Sequence, residues 1–71
     1  MVTMDTLRAL DFLFRQLEDD IKTYEEDLAT GRCKDFADYK SLCGVIQGLT
    51  RAQRTISDLA EKLKKDPDDD Q

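Results

Sequence analysis

The residues of this chain that could carry chemistry are carboxylates, two thiols and a pair of arginines. The chain has no histidine, so catalysis by proton transfer or nucleophilic attack would have to rest on carboxylates, lysine, tyrosine or a thiol. Glu18, Asp19 and Asp20 are consecutive, and neighbouring residues of a helix point in different directions. Because they cannot jointly hold one metal ion well, we interpret these three carboxylates as a solvated helix face.

The remaining acidic and sulfur groups also lack the spacing of a site. Four aspartates fall within residues 66–71, but no glycine and no terminal glutamate complete a calcium loop, so this segment is interpreted as a disordered acidic tail. Cys33 and Cys43 match neither a zinc site nor a CxxC redox pair. We therefore predict plain thiols, no catalytic residue, no metal and no cofactor, and a protein that is not an enzyme.

Arg51 and Arg54 could reach phosphate groups from one side of a helix. The formal net charge of -5 and the absence of interleaved aromatic residues disfavour nucleic-acid binding. The alternative that stays open is a small helical regulator that binds nucleic acid or a host enzyme. Its architectural analogue is the dimeric helical hairpin of the plasmid copy-number regulator Rop, which is similar in length and in its acidic tail.

Two long helices must position all of these groups. Apolar residues alternate at spacings of three and four in both halves of the chain, which is typical of a coiled-coil seam. In the first half the seam residues are Leu7, Leu10, Phe14, Leu17, Ile21, Tyr24 and Leu28, and in the second half they are Tyr39, Leu42, Ile46, Leu49, Gln53, Ile56, Ala60 and Leu63. The sequence therefore predicts an all-α, coiled-coil-like antiparallel hairpin over residues 1–65, with helices over about residues 5–29 and 35–65.

Local signals predict where these helices begin and end. Asp5 or Thr6 is the expected cap of the first helix and Asp35 that of the second, because their side-chain oxygens can accept from unpaired amides. Gly31 can adopt the left-handed conformation that ends a helix. Pro67 follows Lys65 closely and cannot continue the second helix.

Two glycines interrupt the second helix, at Gly44 and Gly48. Each interior glycine costs a helix about 0.5 to 1 kcal/mol relative to alanine. With Ala52 they form a stripe at four-residue spacing where another backbone or an aromatic ring could approach closely. Three interpretations stay open: packing against the first helix, contact with another copy or another protein, and a small-ligand groove.

A hairpin of this size has more apolar surface than one contact layer can cover. Below roughly 80 residues a single core rarely supplies more than about 3 to 5 kcal/mol, and this chain has 71 residues. Apolar residues also stand outside the seams, and we expect Phe12 and Leu13 to widen the apolar face of the first helix. We therefore predict self-association or docking onto a larger protein. The predicted interface residues are Phe12, Leu13, Tyr39, Leu42, Cys43, Gly44, Val45, Gly48, Leu49 and Ala52.

Charge is divided unevenly along the chain. Residues 1–30 carry a net charge of -5 and residues 31–65 a net charge of +4, which favours an acidic helix beside a basic one. The N-terminal segment has no basic region before an apolar run, so neither a secretory signal nor a membrane span is predicted. We expect a soluble, intracellular protein that does not bind a membrane.

The segment TGRCKDFADYKSLCGVIQGLTRA, residues 30–52, resembles small proteins of tailed, podovirus-like bacteriophages. The shared pattern is an acidic helix, then GR, a charged pair, an aromatic residue and LCG.I.GL. The resemblance implies a structural or assembly component of a phage particle, located in the virion and, during assembly, in the host cytoplasm. Its implied partners are itself and a capsid, portal or tail protein, with residues 39–49 as the docking surface and Gly31 and Arg32 at the turn.

Overall fold

The computed structural model describes residues 4–65, which form two α-helices packed as a hairpin. Helix α1 spans Met4–Ala29 and helix α2 spans Phe36–Lys65. The hairpin measures 51 × 20 × 11 Å, so it is a single layer of two helices. The all-α hairpin predicted from the seams is confirmed. The predicted acidic tail lies outside the described residues.

The turn between the helices is built by local hydrogen bonds. Gly31 has a positive φ of 74°, as predicted, and the amides of Gly31 and Arg32 donate to the carbonyls of Leu28 and Asp27 at 3.3 and 3.1 Å. These two bonds form the motif that commonly ends helices at a left-handed glycine. Because the carbonyls at the end of α1 are satisfied in this way, the chain can reverse direction over a short connection.

Asp35 caps the beginning of α2, as expected. Its Oδ1 accepts from the amide of Asp38 at 2.9 Å, and Oδ2 of Asp38 accepts in return from the amide of Lys34 at 3.1 Å. Such reciprocal bonds satisfy amide groups that have no partner within the helix. At the other end of the hairpin α1 begins at Met4, so the predicted caps Asp5 and Thr6 lie inside its first turn.

The seam residues meet between the helices but are not fully enclosed. All seven seam residues of α1 are half-buried, and so are those of α2 from Leu42 to Leu63, apart from Gln53. Among residues 4–65 no apolar side chain is buried. The contact between the two helices therefore shields one stripe of each helix and leaves its edges in water.

Gln53 is the one buried residue in the described part of the chain, with 9% of its surface exposed. Its Nε2 donates to the backbone carbonyl of Phe14 at 3.2 Å and to Oε1 of Glu18 at 2.8 Å. A buried amide that donates two hydrogen bonds to the other helix fixes the relative position of the two helices, because sliding either helix breaks both bonds. These partners assign Gln53 a role in setting the register of the two helices.

Two predicted positions need correction. Tyr39 does not lie in the seam: its side chain is 48% exposed and its ring stacks on Phe36, with centroids 6.2 Å apart. Phe12 does not widen the seam of α1 either, since it is 60% exposed and stands two positions from both Leu10 and Phe14. At about 100° per residue, that spacing places Phe12 on the far side of α1.

Charge does not join the two helices directly. The three ion pairs among residues 4–65 are Arg15–Asp11 within α1, Arg32–Asp27 at the turn and Lys64–Glu61 within α2. Exposed pairs of this kind contribute about 0 to 1 kcal/mol each. The division of charge between the helices therefore acts only through long-range attraction. The pairing of the helices is determined by their apolar contact together with the hydrogen bonds of the Gln53 amide.

Candidate protein-binding surface

The two sides of the hairpin differ in composition, and shallow grooves identify which flanks of α1 and α2 share a side. Near the turn, Asp27 of α1 lines one groove together with Ser41, Leu42 and Val45 of α2. Leu13 precedes Asp27 by two heptads, so it lies on the same flank of α1. Leu13 and Val45 therefore face the same side of the hairpin.

On this side α2 carries a second stripe with alternating spacings of three and four. We call it the uncharged row, and it consists of Ser41, Val45, Gly48, Ala52, Thr55 and Leu59. Val45 and Leu59 are 42% and 45% exposed, and the row contains no charged side chain although 38% of the chain is charged. A charge-free stripe beside a half-buried seam is the composition of a surface that packs against protein.

The opposite side of the hairpin mixes apolar and polar groups. A groove at the end away from the turn is lined there by apolar residues of both helices, among them Met4, Phe14 and Ile56, together with Asp11, Ser57, Glu61 and Lys64. Residues one heptad along this flank add Glu18 and Thr50. Its charged and hydroxyl groups are well solvated by water, whereas the uncharged row has no charged group, so this flank is the more polar of the two.

The glycines face away from α1. A Cβ added at Gly44 or Gly48 meets no atom within 4 Å beyond its own helix backbone and chain neighbours. The interpretation that these glycines pack against α1 is therefore wrong, while contact with another copy, another protein or a ligand stays a prediction. Together with Gln47, Arg51 and Arg54 they line a shallow groove on the outer side of α2.

Arg51 and Arg54 are exposed in this outer groove. No ion pair among residues 4–65 engages either guanidinium. Their positions three residues apart on one helix aim both side chains toward the same side. They are thus available to an acidic partner or a phosphate.

An aromatic pair, Phe36 with Tyr39, stands at the turn end of α2, and only Tyr39 of the two was in the predicted interface. Phe36 is 71% exposed, stacks on Tyr39, and has the ammonium of Lys40 5.8 Å from its ring centroid. A side-chain hydrogen bond to Cys43 raises the pKa of Tyr39 above its ordinary value. The sequence signal for this pair was the spacing of Phe36, Tyr39 and Cys43, which are three and four residues apart. Phe36 thus extends a three-four pattern by one step before Tyr39, the first predicted seam residue of the second helix.

The Cys33 thiol lies half-buried at the turn. Desolvation raises the pKa of Cys33, and the negative charges of Asp38 and Asp27 raise it further. A raised pKa lowers the fraction of thiolate, which is the reactive form. The environment of Cys33 is thus the reverse of that which activates a nucleophilic cysteine.

The predicted interface residues do not form a single patch. Leu42 and Leu49 lie in the seam against α1, whereas Val45, Gly48 and Ala52 belong to the uncharged row, with Leu13 on the same side. The others point elsewhere: Gly44 lines the outer groove, Tyr39 and Cys43 lie toward the polar flank, and Phe12 lies on the far side of α1. The uncharged row with Leu13 is therefore the largest continuous part of the prediction.

No cluster of three or more potential metal ligands from histidine, cysteine, aspartate and glutamate occurs among residues 4–65. Neither α1 nor α2 has the length and apolarity needed to cross a bilayer.

Comparison with known proteins adds no assignment to this surface. No protein-family model, no curated protein and no solved structure matches this chain.

Proposed function

We propose that this protein is a non-enzymatic interaction module that works by packing its helices against other protein surfaces. The observation that carries the proposal is the state of its apolar side chains: none is buried among residues 4–65, whereas Met4, Phe12, Leu13, Phe36, Tyr39, Val45 and Leu59 are exposed. Stable domains bury their large apolar residues. A hairpin that half-buries its seam and leaves seven large apolar side chains exposed has its core completed by a partner.

The dimensions of the hairpin support the same conclusion. Its radius of gyration is 16.2 Å, against about 11 Å for a compact domain of this length. Its accessible surface is 5652 Å², whereas a compact monomer of 8.2 kDa has about 4,500 Å². The hairpin therefore exposes surface that a second layer of helices would cover.

The decisive experiment measures the isolated chain. We expect it to associate, or to unfold with poor cooperativity as a monomer, because its apolar stripes lack a second layer. Analytical ultracentrifugation combined with thermal unfolding followed by circular dichroism reads out both properties. A monomer with a sharp, concentration-independent unfolding transition would overturn the proposal.

The resemblance of residues 30–52 to small proteins of tailed phages supports a setting for this module. In that setting it is a virion or assembly component that docks onto a capsid, portal or tail protein. Mass spectrometry of purified particles and of assembly intermediates tests the setting. If the protein is absent from both the phage particles and the assembly intermediates, the phage role is removed, whereas the proposal of an interaction module is unaffected.

A regulator that binds nucleic acid is the second candidate, and the outer groove is the observation that favours it. Arg51 and Arg54 lie side by side there without ion-pair partners in the described chain. Phosphate contacts release counterions, so binding would weaken with salt. A gel shift with the Arg51→Gln, Arg54→Gln double variant tests it, with Arg8→Gln, Arg15→Gln as a matched control on α1. If the wild type and both double variants retard the nucleic acid equally, or if none of them does, this candidate function is removed.

A further inference from the structure

We propose that the uncharged row of α2 packs antiparallel against the same row of a second copy, about a two-fold axis that passes midway between Gly48 and Ala52. This inference rests on the proposed interaction module and names its partner as a second copy. It is carried by the residues that this axis sets opposite one another, by the charges that border the row, and by the apolar surface beside it.

The row is symmetric in spacing about the midpoint of Gly48 and Ala52. Its successive spacings are four, three, four, three and four residues, so in an antiparallel pair the residues at equal distances from that midpoint lie opposite each other. The opposed pairs are Gly48 with Ala52, Val45 with Thr55, and Ser41 with Leu59. An isologous interface needs such self-complementarity, because each copy presents the same patch to the other. The midpoint also lies at the middle of α2, so the two helices overlap along almost their whole length.

The opposed residues suit each other in size. Gly48 and Ala52 of both copies put four small residues at the axis, and Gly48 has open space where its Cβ would be. Helix surfaces without large side chains permit short distances between helix axes. At each end of the row the large, exposed Leu59 faces the small Ser41. A close helix from a second copy would therefore account for a glycine in the middle of α2.

Two charged residues border the row and select the antiparallel direction. Asp38 stands three residues before the row and lines the groove near the turn with Val45, and Lys62 stands three residues after the row. The axis sets Asp38 of one copy opposite Lys62 of the other, whereas parallel packing in register sets each of them against its own kind. Complementary charges at the rim favour the antiparallel arrangement. Lys40, two residues after Asp38, points away from the row.

On the α1 side of the row, the contact continues into the seam. Leu49 lies four residues after Val45 and three before Ala52, so it neighbours the row on the helix surface, and α1 leaves it only half-buried. Because the axis passes close to Leu49, the Leu49 side chains of the two copies come together there. A second copy therefore covers an edge of the seam that α1 leaves in water.

The two α1 helices stand farther apart than the two α2 helices. Every row residue comes immediately before a seam residue, so the row and the seam lie about 100° apart around α2. The two-fold axis keeps both α1 helices on the same side of the α2 pair, and this angle separates them. Asp20 and Asp27, on the α1 flank that shares the side of the row, therefore keep their contact with water.

On the outer side of the row, the axis brings Arg51 of the two copies near each other. Arg51 is exposed, and its long side chain can extend into water, where salt screens the repulsion. We expect Arg51→Gln to lower the dissociation constant of the dimer about 2- to 5-fold. Arg54→Gln is the matched control and should leave it unchanged, because Arg54 lies two residues after Ala52 and points away from the row. An unchanged or higher constant for Arg51→Gln contradicts this axis.

Disulfide trapping tests the axis without a disruptive variant. In a Cys33→Ser, Cys43→Ser background, Val45→Cys and Thr55→Cys proteins are mixed and treated with a mild thiol oxidant such as diamide, which takes up the two electrons and two protons released. We expect mixed disulfide dimers to outnumber both homodimers, because the axis sets position 45 opposite position 55. Leu59→Cys is the matched control for Thr55→Cys: it lies four residues further along the same row and should cross-link less with Val45→Cys.

The trapping results decide the direction and the axis together. An excess of homodimers indicates parallel packing, and equal cross-linking of Val45→Cys to Thr55→Cys and to Leu59→Cys indicates that no axis is fixed. No disulfide dimer at all indicates that the row is unpaired. Each of these three results overturns the proposal.

A charge placed beside the axis tests the same contact through association. Ala52→Glu puts a carboxylate into each half of the closely packed centre, and we expect it to raise the dissociation constant about 100-fold or more. Thr50→Glu places the same side chain two residues away, pointing away from the row, and is expected to leave association unchanged. Sedimentation equilibrium measures the constant, and circular dichroism checks that both variants remain helical.

The outcomes separate this inference from the proposed function. A wild-type oligomer that Ala52→Glu leaves intact overturns the uncharged row as the contact, while the interaction module survives with another face. A wild-type monomer that is poorly cooperative overturns self-pairing and points to a different protein partner. A monomer with sharp, concentration-independent unfolding overturns both proposals.

Discussion

The seam of α2 and the uncharged row run along the same helix with the same alternation of three and four residues, yet their surroundings differ. From Leu42 to Leu63 the seam residues lie against α1 and are at least half-buried, whereas Val45 and Leu59 of the row remain exposed. Periodicity therefore identifies which stripes of a helix can pack. It does not say whether the covering layer comes from the same chain.

The two stripes also differ in how their register is set. The seam contains Gln53, whose amide bonds Phe14 and Glu18 across the hairpin. In the row, Thr55 bonds only within its own helix, to the carbonyl of Arg51 at 3.2 Å. A polar group with distant partners fixes one alignment, whereas an apolar row depends on side-chain shape and on charges at its ends.

The largest effect should come from adjacent aspartate substitutions, one in each stripe. Ile46→Asp places a carboxylate in the half-buried seam, and we expect it to lower the free energy of unfolding by about 2 to 4 kcal/mol and to remove helicity at every protein concentration. Val45→Asp should instead weaken association first, with helicity recovering as concentration rises. Circular dichroism across a concentration series measures both. If both variants lose the same helicity at every protein concentration, the seam and the row do not differ in the way proposed.

A second effect concerns the alignment of the helices. Gln53→Leu removes both amide bonds, and because Glu18 is exposed, no buried group is left unpaired. We expect the melting temperature to hold or rise, since the added apolar contact contributes up to about 1 kcal/mol, while the register becomes mixed.

Spin labels on Arg8→Cys and Lys62→Cys, in a background without native cysteines, measure this register by electron spin resonance distances. Gln47→Leu is the matched control, because Gln47 lies in the outer groove away from α1. A distance distribution that stays equally narrow in Gln53→Leu contradicts a role for the amide in setting register.

The two glycines should respond differently in their larger variants. Gly44→Ala and Gly48→Ala both improve helix propensity by about 0.5 to 1 kcal/mol, and neither meets a steric obstacle in the hairpin. Gly48→Leu, in the uncharged row, should weaken association despite better helix propensity, whereas Gly44→Leu should not. Sedimentation measures the association of the Gly44→Leu and Gly48→Leu variants, and thermal unfolding gives their melting temperatures. Unchanged association with a higher melting temperature in Gly48→Leu would show that the space at Gly48 is unused.

The smallest effect lies at the turn, outside both stripes. Because the pKa of Cys33 is raised in the folded state, its thiol ionises less readily than in the unfolded chain. Stability from this group is fully present below the unfolded-state pKa and is lost as pH rises through the folded-state pKa. In a Cys43→Ser variant, iodoacetamide should alkylate Cys33 more slowly in buffer than in urea at mildly alkaline pH. An equal or faster rate in buffer contradicts the raised pKa.

Several features of this fold were readable from the sequence because they depend on neighbouring residues. Gly31 adopts its positive φ and Asp35 caps α2 through bonds that span a few positions. Errors arose where a residue had two possible sides. Phe12 was expected to widen the apolar face beside the seam, although it lies on the far side of α1, and Tyr39 was placed in the seam although its ring stacks on Phe36 near the turn.

The candidate surface was readable only in part. Val45, Gly48 and Ala52 stood out by type and spacing, but whether the glycines faced α1 depended on the rotation of α2 about its own axis. That rotation is set by contacts between distant residues, chiefly the seam and the Gln53 amide. Leu13 could be placed on the same side as Val45 only from the structure, in which Asp27, two heptads after Leu13, lines one groove with Val45.

The sequence by itself determined two helices, their turn and the stripe along which each can pack, because hydrogen bonds and side-chain periodicity within a helix are local. Only the tertiary structure decided how far one helix is shifted along the other and which flanks face the same side. Those choices depend on the rotation and translation of two rigid helices, which no local pattern specifies. They leave an uncharged row in water on one side of the hairpin and a polar flank on the other.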